Sequence, residues 1–366
     1  MKFLIAGIEI LKTNLSMNTS IKNYLLLLLG FPLIIFILIA IFNYTIDPYM
    51  LWHEKPIWFD KTKNPIIDSN QRLIKSLQLV LRQPKIIFLG SSLVYHVINP
   101  AGSDEKIYNL GVGSLRSAEA YGYVKEAVSW TPVTKIYLAL DLFAFGSEQK
   151  MPGYDDEVSG AKYLVNQFAS ALIGKSTIND SLNILLGKNA EYNDGTWQFN
   201  GYKLTPKRNL AEVNDGIKQN EILFKKIFPK TSIDYINQNL KNIEKIMTVC
   251  EAHHVELVLY FNPINYRLLQ VYKNSGVWDN FMQLKTGLQA MAYKHNVTLW
   301  DFATYSSITT YPFVNENEIK RNPYYLDTDH PTELVGNYVM QQMGVPLKKP
   351  LSIPRDFGVR LNQREA

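Results

Sequence analysis

The sequence predicts a three-layer α/β/α protein built on a five-stranded parallel sheet, with an N-terminal transmembrane helix and a mid-chain insertion. Two patterns lead to this prediction. Short apolar runs alternate with stretches of helical periodicity, and one long uncharged apolar run stands near the N-terminus. Because parallel strands need crossover helices, the alternation predicts a doubly wound sheet covered on both faces. Ligands bind such sheets at the carboxyl ends of the strands.

The uncharged run from Tyr24 to Phe42 is about long enough to cross the ~30 Å hydrocarbon layer of a membrane as a helix. Lys2, Lys12 and Lys22 precede it, and this excess of positive charge predicts a cytoplasmic N-terminus. A cleaved signal peptide is the alternative, but the run exceeds a usual signal core and no small-x-small pair closes it around Ala40. We therefore expect an uncleaved single-pass anchor in the inner membrane, with the rest of the chain on the periplasmic side.

The remainder of the chain divides by composition and periodicity. The predicted organisation is a cytoplasmic N-terminus, a transmembrane anchor, a membrane-proximal linker with a helix, an α/β domain and a C-terminal tail, at residues 1–22, 23–43, 44–83, 84–345 and 346–366, respectively. The runs predicted as strands are 85–90, 106–111, 135–141, 255–263 and 297–302. The alternation breaks over about 146–230, where Gly, Asn, Asp, Trp and Tyr mix with apolar helical pieces, and this stretch is the predicted insertion.

Charge and cysteine content argue against several classes of function. A net charge of +5 on 366 residues, with no long basic run, gives little support for nucleic-acid binding. The single cysteine, Cys250, rules out an internal disulfide and a cysteine-based zinc cluster. The sequence has no H-E-x-x-H, phosphate-binding loop or G-x-S-x-G motif. We therefore expect no nucleic-acid partner, no metal and no cofactor.

The first candidate for chemistry is the block Gly90-Ser91-Ser92, which follows the first predicted strand. A serine that opens a helix at the carboxyl end of a strand has its hydroxyl at the edge of the sheet, where backbone N–H groups point outward. Ser92 in this place is a candidate nucleophile. The alternative is that one of the two serines merely caps the following helix. His96 lies within about one helical turn of Ser92. It is expected either to pack in the core or to line the site.

The second candidate is the block Asp327-Thr328-Asp329-His330-Pro331, which follows the last strand and opens a helical pattern. A neutral imidazole can take a proton from a serine, and a carboxylate on its other nitrogen fixes the tautomer. The alternative is that Asp327 or Asp329 only caps the helix, with proline in its first turn. A parallel sheet would bring this block to the same edge as Ser92.

The two blocks together resemble the SGNH, or GDSL-like, hydrolase superfamily, in which a G-D-S block follows the first strand and D-x-x-H lies near the C-terminus. In this sequence Ser92 takes the place of the nucleophile, and Asp327 and His330 take those of its partners. The resemblance covers about residues 85–343 outside the insertion. It implies a flavodoxin-like arrangement of the three layers.

The resemblance also implies residues that bind the oxyanion or the substrate. The family's second block, an N-x-G-like turn after the second strand, is matched by residues 109–114, and its oxyanion glycine falls at Ser114. The third block, G-x-N-D, is replaced by residues 140–144, Leu-Asp-Leu-Phe-Ala, so the oxyanion asparagine is missing. Asn262 ends the fourth strand, where substrate binding or turn chemistry explains it. The predicted oxyanion and substrate-binding residues are Ser114, Gly113, Gly111, Asn109 and Asn262.

An N-terminal anchor combined with a missing third block is similar to the branch of the superfamily that accompanies membrane-bound O-acyltransferases, as in alginate O-acetylation and teichoic acid D-alanylation. The resemblance implies an acyl group moved on a cell-envelope glycan, with the membrane and a membrane-bound O-acyltransferase as partners. Transfer to a glycan hydroxyl and hydrolysis by water share one acyl-enzyme, so the sequence leaves both open. A non-catalytic scaffold that docks onto a membrane partner is the alternative of another class.

Overall fold

The computed structural model describes residues 19–54, 65–142, 161–188, 195–205, 210–227, 233–312, 322–326 and 330–361. Its helices are α1 (Thr19–Ile46), α2 (Pro65–Ser69), α3 (Gln71–Arg82), α4 (Ser92–Tyr95), α5 (Ser117–Trp130), α6 (Ala161–Ile173), α7 (Lys175–Leu185), α8 (Leu210–Ile227), α9 (Ile233–Ala252), α10 (Tyr266–Asn274), α11 (Trp278–Lys294) and α12 (Glu333–Gln342). Its strands are β1 (Ile86–Gly90), β2 (Ile107–Gly111), β3 (Lys135–Leu140), β4 (Thr196–Trp197), β5 (Lys203–Leu204), β6 (Glu256–Phe261), β7 (Thr298–Asp301) and β8 (Val359–Arg360).

Six strands form the central sheet, in the order β2-β1-β3-β6-β7-β8. The first five of these are parallel, and β8 pairs antiparallel with β7. The prediction of five strands was therefore one short, because two residues of the predicted tail add a strand at the edge. Pairing with β8 satisfies the backbone groups at the open edge of β7. A run of two residues has no periodicity from which a strand could be predicted. Because β1 lies between β2 and β3, the strand order reverses there, where open α/β sheets bind ligands.

Successive side chains of the central strands enter two separate hydrophobic layers. In β1, Ile87 and Leu89 pack in the layer that contains residues of α5, α9 and α11, whereas Phe88 packs in the layer that contains residues of α12. All three side chains are fully buried. Strands that are apolar on both faces need helices on both sides of the sheet. The protein is therefore a mixed α/β structure with a mostly parallel sheet between helical layers.

Residues of the insertion cover the outer edge of β2. The N–H of Asn109 donates to the carbonyl of Asn200 at 2.9 Å. The ammonium of Lys75, on α3, donates to the carbonyls of Asn109 and Gly201 at 2.9 and 2.6 Å. Lys75 is fully buried, and burial lowers its pKa well below the ordinary value because it disfavours the charged form. The loop at residues 200–201 thus occupies an edge that would otherwise be open to another strand.

Helix α1 contains a stretch, Leu27–Ile46, that is 20 residues long, has a mean hydropathy of 2.5 and is long and apolar enough to cross a membrane. The loop after it is folded onto the α/β domain. Asp47 accepts a hydrogen bond from the N–H of Leu51 at 2.7 Å. Arg82, at the end of α3, donates to the carbonyls of Met50 and Leu51 at 2.6 Å each. The apolar helix is therefore joined to the domain through a structured connection.

Glu126, on α5, is a fully buried carboxyl group that faces α3. Ser76 of α3 donates to one of its oxygens, and the other oxygen has no partner among the described residues. Burial raises the pKa of Glu126 to about 7. With a raised pKa, the folded state holds the proton more tightly than the unfolded state does. The contribution of Glu126 to stability is therefore fully present below about pH 4.5 and is lost as the pH rises through about 7.

We expect Glu126→Gln to melt at a higher temperature than the unchanged protein above neutral pH, and at nearly the same temperature in mild acid. The amide keeps an acceptor for Ser76 and carries no charge to desolvate. Since the pKa rises from 4.5 to about 7, the gain at alkaline pH has a ceiling on the order of 3 kcal/mol. Thermal unfolding followed by circular dichroism across this pH range measures it. Parallel pH profiles of the two proteins would contradict the expectation.

Candidate active site

Ser92 opens α4 directly after β1, at the carboxyl edge of the sheet. The preceding residue, Ser91, caps this short helix, since its hydroxyl accepts a hydrogen bond from the N–H of Leu93 at 3.3 Å. The capping role that the sequence left open for either serine therefore falls to Ser91. Ser91 is buried, whereas Ser92 is partly exposed, so its hydroxyl can be reached from solvent.

The imidazole of His330 contacts the side chain of Ser92. Ser92 Oγ lies 3.2 Å from His330 Nε2, a hydrogen-bond distance between residues 238 positions apart in the sequence. A short antiparallel pairing holds the histidine, because its carbonyl accepts from the N–H of Leu326 at 2.9 Å and Tyr325 forms a bridge with Pro331. An imidazole in this position can take the proton of the serine hydroxyl.

Helix α12 packs tightly on the segment that follows α4. A Cβ atom at Gly336 of α12 would lie 2.0 Å from the carbonyl oxygen of Val97, so this approach requires glycine. The side chain of Asn99 donates to Glu333 at 2.9 Å and ties the same two segments together. These contacts hold the histidine segment against the serine segment. The predicted third member, Asp327, lies outside the described residues.

Asn109, predicted to bind substrate or oxyanion, is fully buried and uses its side chain inside the fold. Its amide nitrogen donates to the carbonyls of Val94 and Ile98 at 2.9 and 2.6 Å. Its side-chain oxygen accepts a hydrogen bond from the N–H of Gly111 at 2.9 Å. The N–H of Gly111, which was also predicted to bind oxyanion or substrate, is therefore used within the fold. A Cβ at Gly111 would lie 2.5 Å from the backbone nitrogen of Tyr95. Both residues therefore fix α4 onto β2.

The turn after β2 holds Ser114 in an uncommon conformation. The N–H of Gly113 donates to Gln71 Oε1 at 2.6 Å, and its carbonyl accepts from Arg72 at 3.3 Å, so α3 braces the turn. Ser114 has φ +54°, in the left-handed region that glycine prefers. In the described part of the chain, the N–H groups of Ser114 and Ser92 donate to no acceptor. The described fold therefore makes no use of these two N–H groups.

We expect Ser114→Gly to keep its activity and to gain up to about 1 kcal/mol of stability, because a left-handed conformation costs a non-glycine residue about 1–2 kcal/mol and glycine loses part of that in chain entropy. The N–H remains in place. Ser114→Val is the matched control, since a β-branched residue at this φ is more strained and should lower the melting temperature. Loss of activity in Ser114→Gly would show that the hydroxyl, and not the N–H, is needed.

An arginine that the sequence did not single out lies beside the serine block. A small cleft between the ends of β1 and β3 is lined by Ser91, Arg116 and Asp141, among others. Arg116 is 8% exposed, and burial lowers its pKa while the charge of Asp141 works in the opposite direction. Asp141 lies in this cleft, directly after β3. Its negative charge is therefore offset by a neighbouring guanidinium, and the only sequence signal for Arg116 was its position soon after Ser114.

Asn262 lies farther along the same edge. It follows β6, and its N–H donates to the carbonyl of Leu140 at 3.3 Å. Because β3 separates β6 from β1, Asn262 is about 10 Å from the serine strand by strand spacing. Its side chain is buried, and its amide nitrogen has no hydrogen-bond partner among the described residues. The structure thus leaves a spare donor at this edge, away from Ser92.

His96 contacts the imidazole of the site. Its ring is edge-on to that of His330, with ring centroids 5.3 Å apart and an interplanar angle of 84°. His96 Nδ1 lies 2.8 Å from the hydroxyl of Thr205, which follows β5. The packing role and the place in the site, which the sequence left as alternatives, are therefore combined in one residue. Through Thr205, the insertion reaches the site.

A larger cavity of about 500 Å³ opens at the opposite, amino edge of the sheet. Its lining includes Met50, Arg82, Lys106 and Phe199, and neither Ser92 nor His330 belongs to it. The guanidinium of Arg82 stacks on Phe199 at 3.2 Å and is bonded to backbone carbonyls. The cavity therefore lies beside the connection to α1.

Fold and site together define an α/β protein with a serine–histidine pair at the carboxyl edge of a mostly parallel sheet, joined to a helix that is long and apolar enough to span a membrane. Across the described ranges, no group of His, Cys, Asp or Glu side chains is arranged to hold a metal ion. No protein-family model matches the chain, and no curated protein matches it.

Proposed function

We propose that the protein is a membrane-anchored serine acyltransferase or esterase of the SGNH type, acting on an O-acyl group of a cell-envelope glycan. The observation that carries this proposal is the 3.2 Å contact between Ser92 Oγ and His330 Nε2. The order β2-β1-β3-β6-β7 supports it, since it corresponds to the 2-1-3-4-5 order of flavodoxin-like sheets. In this proposal Ser92 is the nucleophile, His330 the general base and Asp327 the carboxylate that orients it.

The reaction proceeds through an acyl ester on the serine. Ser92 Oγ attacks the carbonyl carbon of the donor ester while His330 Nε2 takes the hydroxyl proton. The N–H groups of Ser92 and Ser114 donate to the oxyanion of the tetrahedral intermediate. The donor alcohol leaves with the proton held by His330. A glycan hydroxyl or water then attacks the acyl-serine, gives its proton to His330, and releases the product as that proton returns to Ser92.

The proposed location is the inner membrane, with α1 as a single-pass anchor and the α/β domain on the periplasmic side. The 20-residue apolar stretch Leu27–Ile46 supports the anchor. Lys2, Lys12 and Lys22 support the orientation, because positive residues stay in the cytoplasm. A membrane-bound O-acyltransferase that supplies the acyl group is the proposed partner.

Product analysis with the purified full-length chain tests the reaction and separates transfer from hydrolysis. The chain is incubated with an O-acetylated oligosaccharide donor and a distinguishable unacetylated acceptor. Mass spectrometry follows the acceptor, and an enzymatic assay follows free acetate. Acetylated acceptor identifies a transferase, and acetate alone identifies an esterase. An intact donor in the presence of folded protein would overturn both.

A non-catalytic scaffold is the second candidate, and one observation favours it. Residues 140–142 contain no amide side chain to serve as the third oxyanion donor, and Asp141 is placed there with Arg116. A fluorophosphonate probe discriminates the two candidates, because it labels only an activated serine. Labelling that maps to Ser92 supports the enzyme. A folded protein that stays unlabelled supports a scaffold that docks onto a membrane partner.

A further inference from the structure

We propose that the hairpin of α6 and α7 lies on the lipid bilayer beside α1, with the outer face of α7 in the interfacial region of the membrane. The proposal rests on the membrane anchoring of α1 described above and is independent of catalysis at Ser92. It assigns a lipid-facing role to part of the insertion.

Direct contacts fix the hairpin to the end of α1. The side chain of Asn43, in the last turns of α1, donates to the carbonyl of Leu172 on α6 and accepts from the hydroxyl of Ser181 on α7, both at 2.8 Å. Just after α1, the hydroxyl of Tyr49 donates to Asp180 on α7 at 2.8 Å. Asn43 is fully buried by these contacts. Both helices of the hairpin therefore lie at the depth where the apolar helix leaves the membrane.

Towards its C-terminal end, helix α7 exposes apolar side chains and buries hydroxyl groups, whereas Ser176 and Asn179 are exposed in its first half. The inner stripe follows helical spacing, is buried and carries two hydroxyls: Thr177, Ser181 and Ile184. The outer stripe is apolar and exposed, with exposed fractions of 40%, 40% and 66%: Leu182, Leu185 and Leu186. A helix on the surface of a water-soluble protein shows the reverse distribution. The arrangement is the one expected of a helix whose outer face meets hydrocarbon.

The exposed apolar surface continues across the hairpin and onto the anchor. Val165 and Ile173 add exposed apolar side chains on α6, and Ile41 does so near the end of α1. Lys175 and Lys188 stand exposed at the two ends of α7, while Asp180 is engaged by Tyr49. Apolar residues flanked by lysines suit an interfacial helix on anionic lipid, which places its apolar face ~5–10 Å into the headgroup boundary. Continuity with α1 therefore favours lipid as the occupant of this surface.

Site-specific fluorescence quenching in liposomes tests the proposal with the full-length chain. Single cysteines are placed at Leu182 or Leu186 in a Cys250→Ala background and labelled with an environment-sensitive dye. The Cys250→Ala protein without an added cysteine gives the background labelling, and it lacks only a buried thiol. Liposomes of phosphatidylcholine and phosphatidylglycerol carry nitroxide lipids labelled near the headgroup. The matched control is Leu223 on α8, another leucine, which is 47% exposed.

We expect labels at positions 182 and 186 to be quenched severalfold more strongly by nitroxide lipid than the label at Leu223, and to be severalfold less accessible to aqueous iodide. A label at Ile37, in the apolar helix, reports whether α1 itself is embedded. Quenching at Ile37 without quenching at 182 and 186 would overturn the hairpin proposal alone and leave the surface to a protein partner. Absence of quenching at Ile37 would overturn the anchor as well. Neither result depends on acyl transfer.

Discussion

Under the proposed function, replacing Ser92 by alanine is expected to lower acyl transfer or hydrolysis by at least about 1,000-fold, because removal of the proposed nucleophile leaves only binding and the proposed oxyanion donors. Fluorophosphonate labelling should disappear together with acetate release or acceptor acetylation. The melting temperature should change little, since Ser92 is partly exposed and the adjacent residue caps the helix. Activity measurements on the full-length chain and thermal unfolding provide these two readouts.

Ser91→Ala is the matched control for this change. It removes a helix cap, so we expect a loss of about 1 kcal/mol in stability while most of the activity and the labelling remain. The two adjacent serines should therefore separate stability from chemistry. An active Ser92→Ala variant, or an inactive but stable Ser91→Ala variant, would place the nucleophile elsewhere.

Replacing Asn109 by leucine is expected to unfold much of the protein population. The change leaves the carbonyl of Ile98 and the N–H of Gly111 buried without partners, whereas the carbonyl of Val94 still accepts from the N–H groups of Val97 and Ile98. Each orphaned group costs about 1–3 kcal/mol, so the sum is a large share of a typical stability of about 5–15 kcal/mol. Denaturant titration should show a lower midpoint. Activity should fall with the folded fraction.

Asn262→Leu provides the comparison for Asn109. Both asparagines are buried, but the amide nitrogen of Asn262 has no partner among the described residues, so its removal should cost little stability. An effect on the Michaelis constant without an effect on melting would support substrate binding by Asn262. Equal melting temperatures for the two leucine variants would contradict the structural role of Asn109.

The five parallel strands of the central sheet were readable from the sequence because each is a short apolar run bounded by turn residues. Strands β4, β5 and β8 were not, since two residues cannot display a period and their pairing depends on residues elsewhere in the chain. The proximity of Ser92 to His330 followed from topology, because parallel strands end at one edge. A motif at each end of the domain was enough to predict that contact.

The availability of hydrogen-bond donors could not be read in the same way. The motif predicts that Gly113 binds an oxyanion, but its N–H donates a hydrogen bond to Gln71, 42 positions away. The N–H of Ser114 donates to no acceptor among the described residues, and the positive φ of this residue is a conformation that glycine prefers. Whether a backbone N–H group donates within the fold or stays unpaired depends on residues that are close in space but distant in sequence. Local sequence does not encode those neighbours.

Helix α3 runs between the connection that follows α1 and the turn that follows β2. Arg82, in its last turn, holds the backbone just after α1, and Gln71, at its start, holds the turn that positions Ser114. The helix has 12 residues and so spans about 18 Å. With α1 in a bilayer, the site would be held at a fixed distance from the membrane surface and would not move on a flexible linker. Under the proposed function, the serine would then diffuse laterally within a single layer parallel to the membrane, and only acceptor chains that cross that layer would reach it.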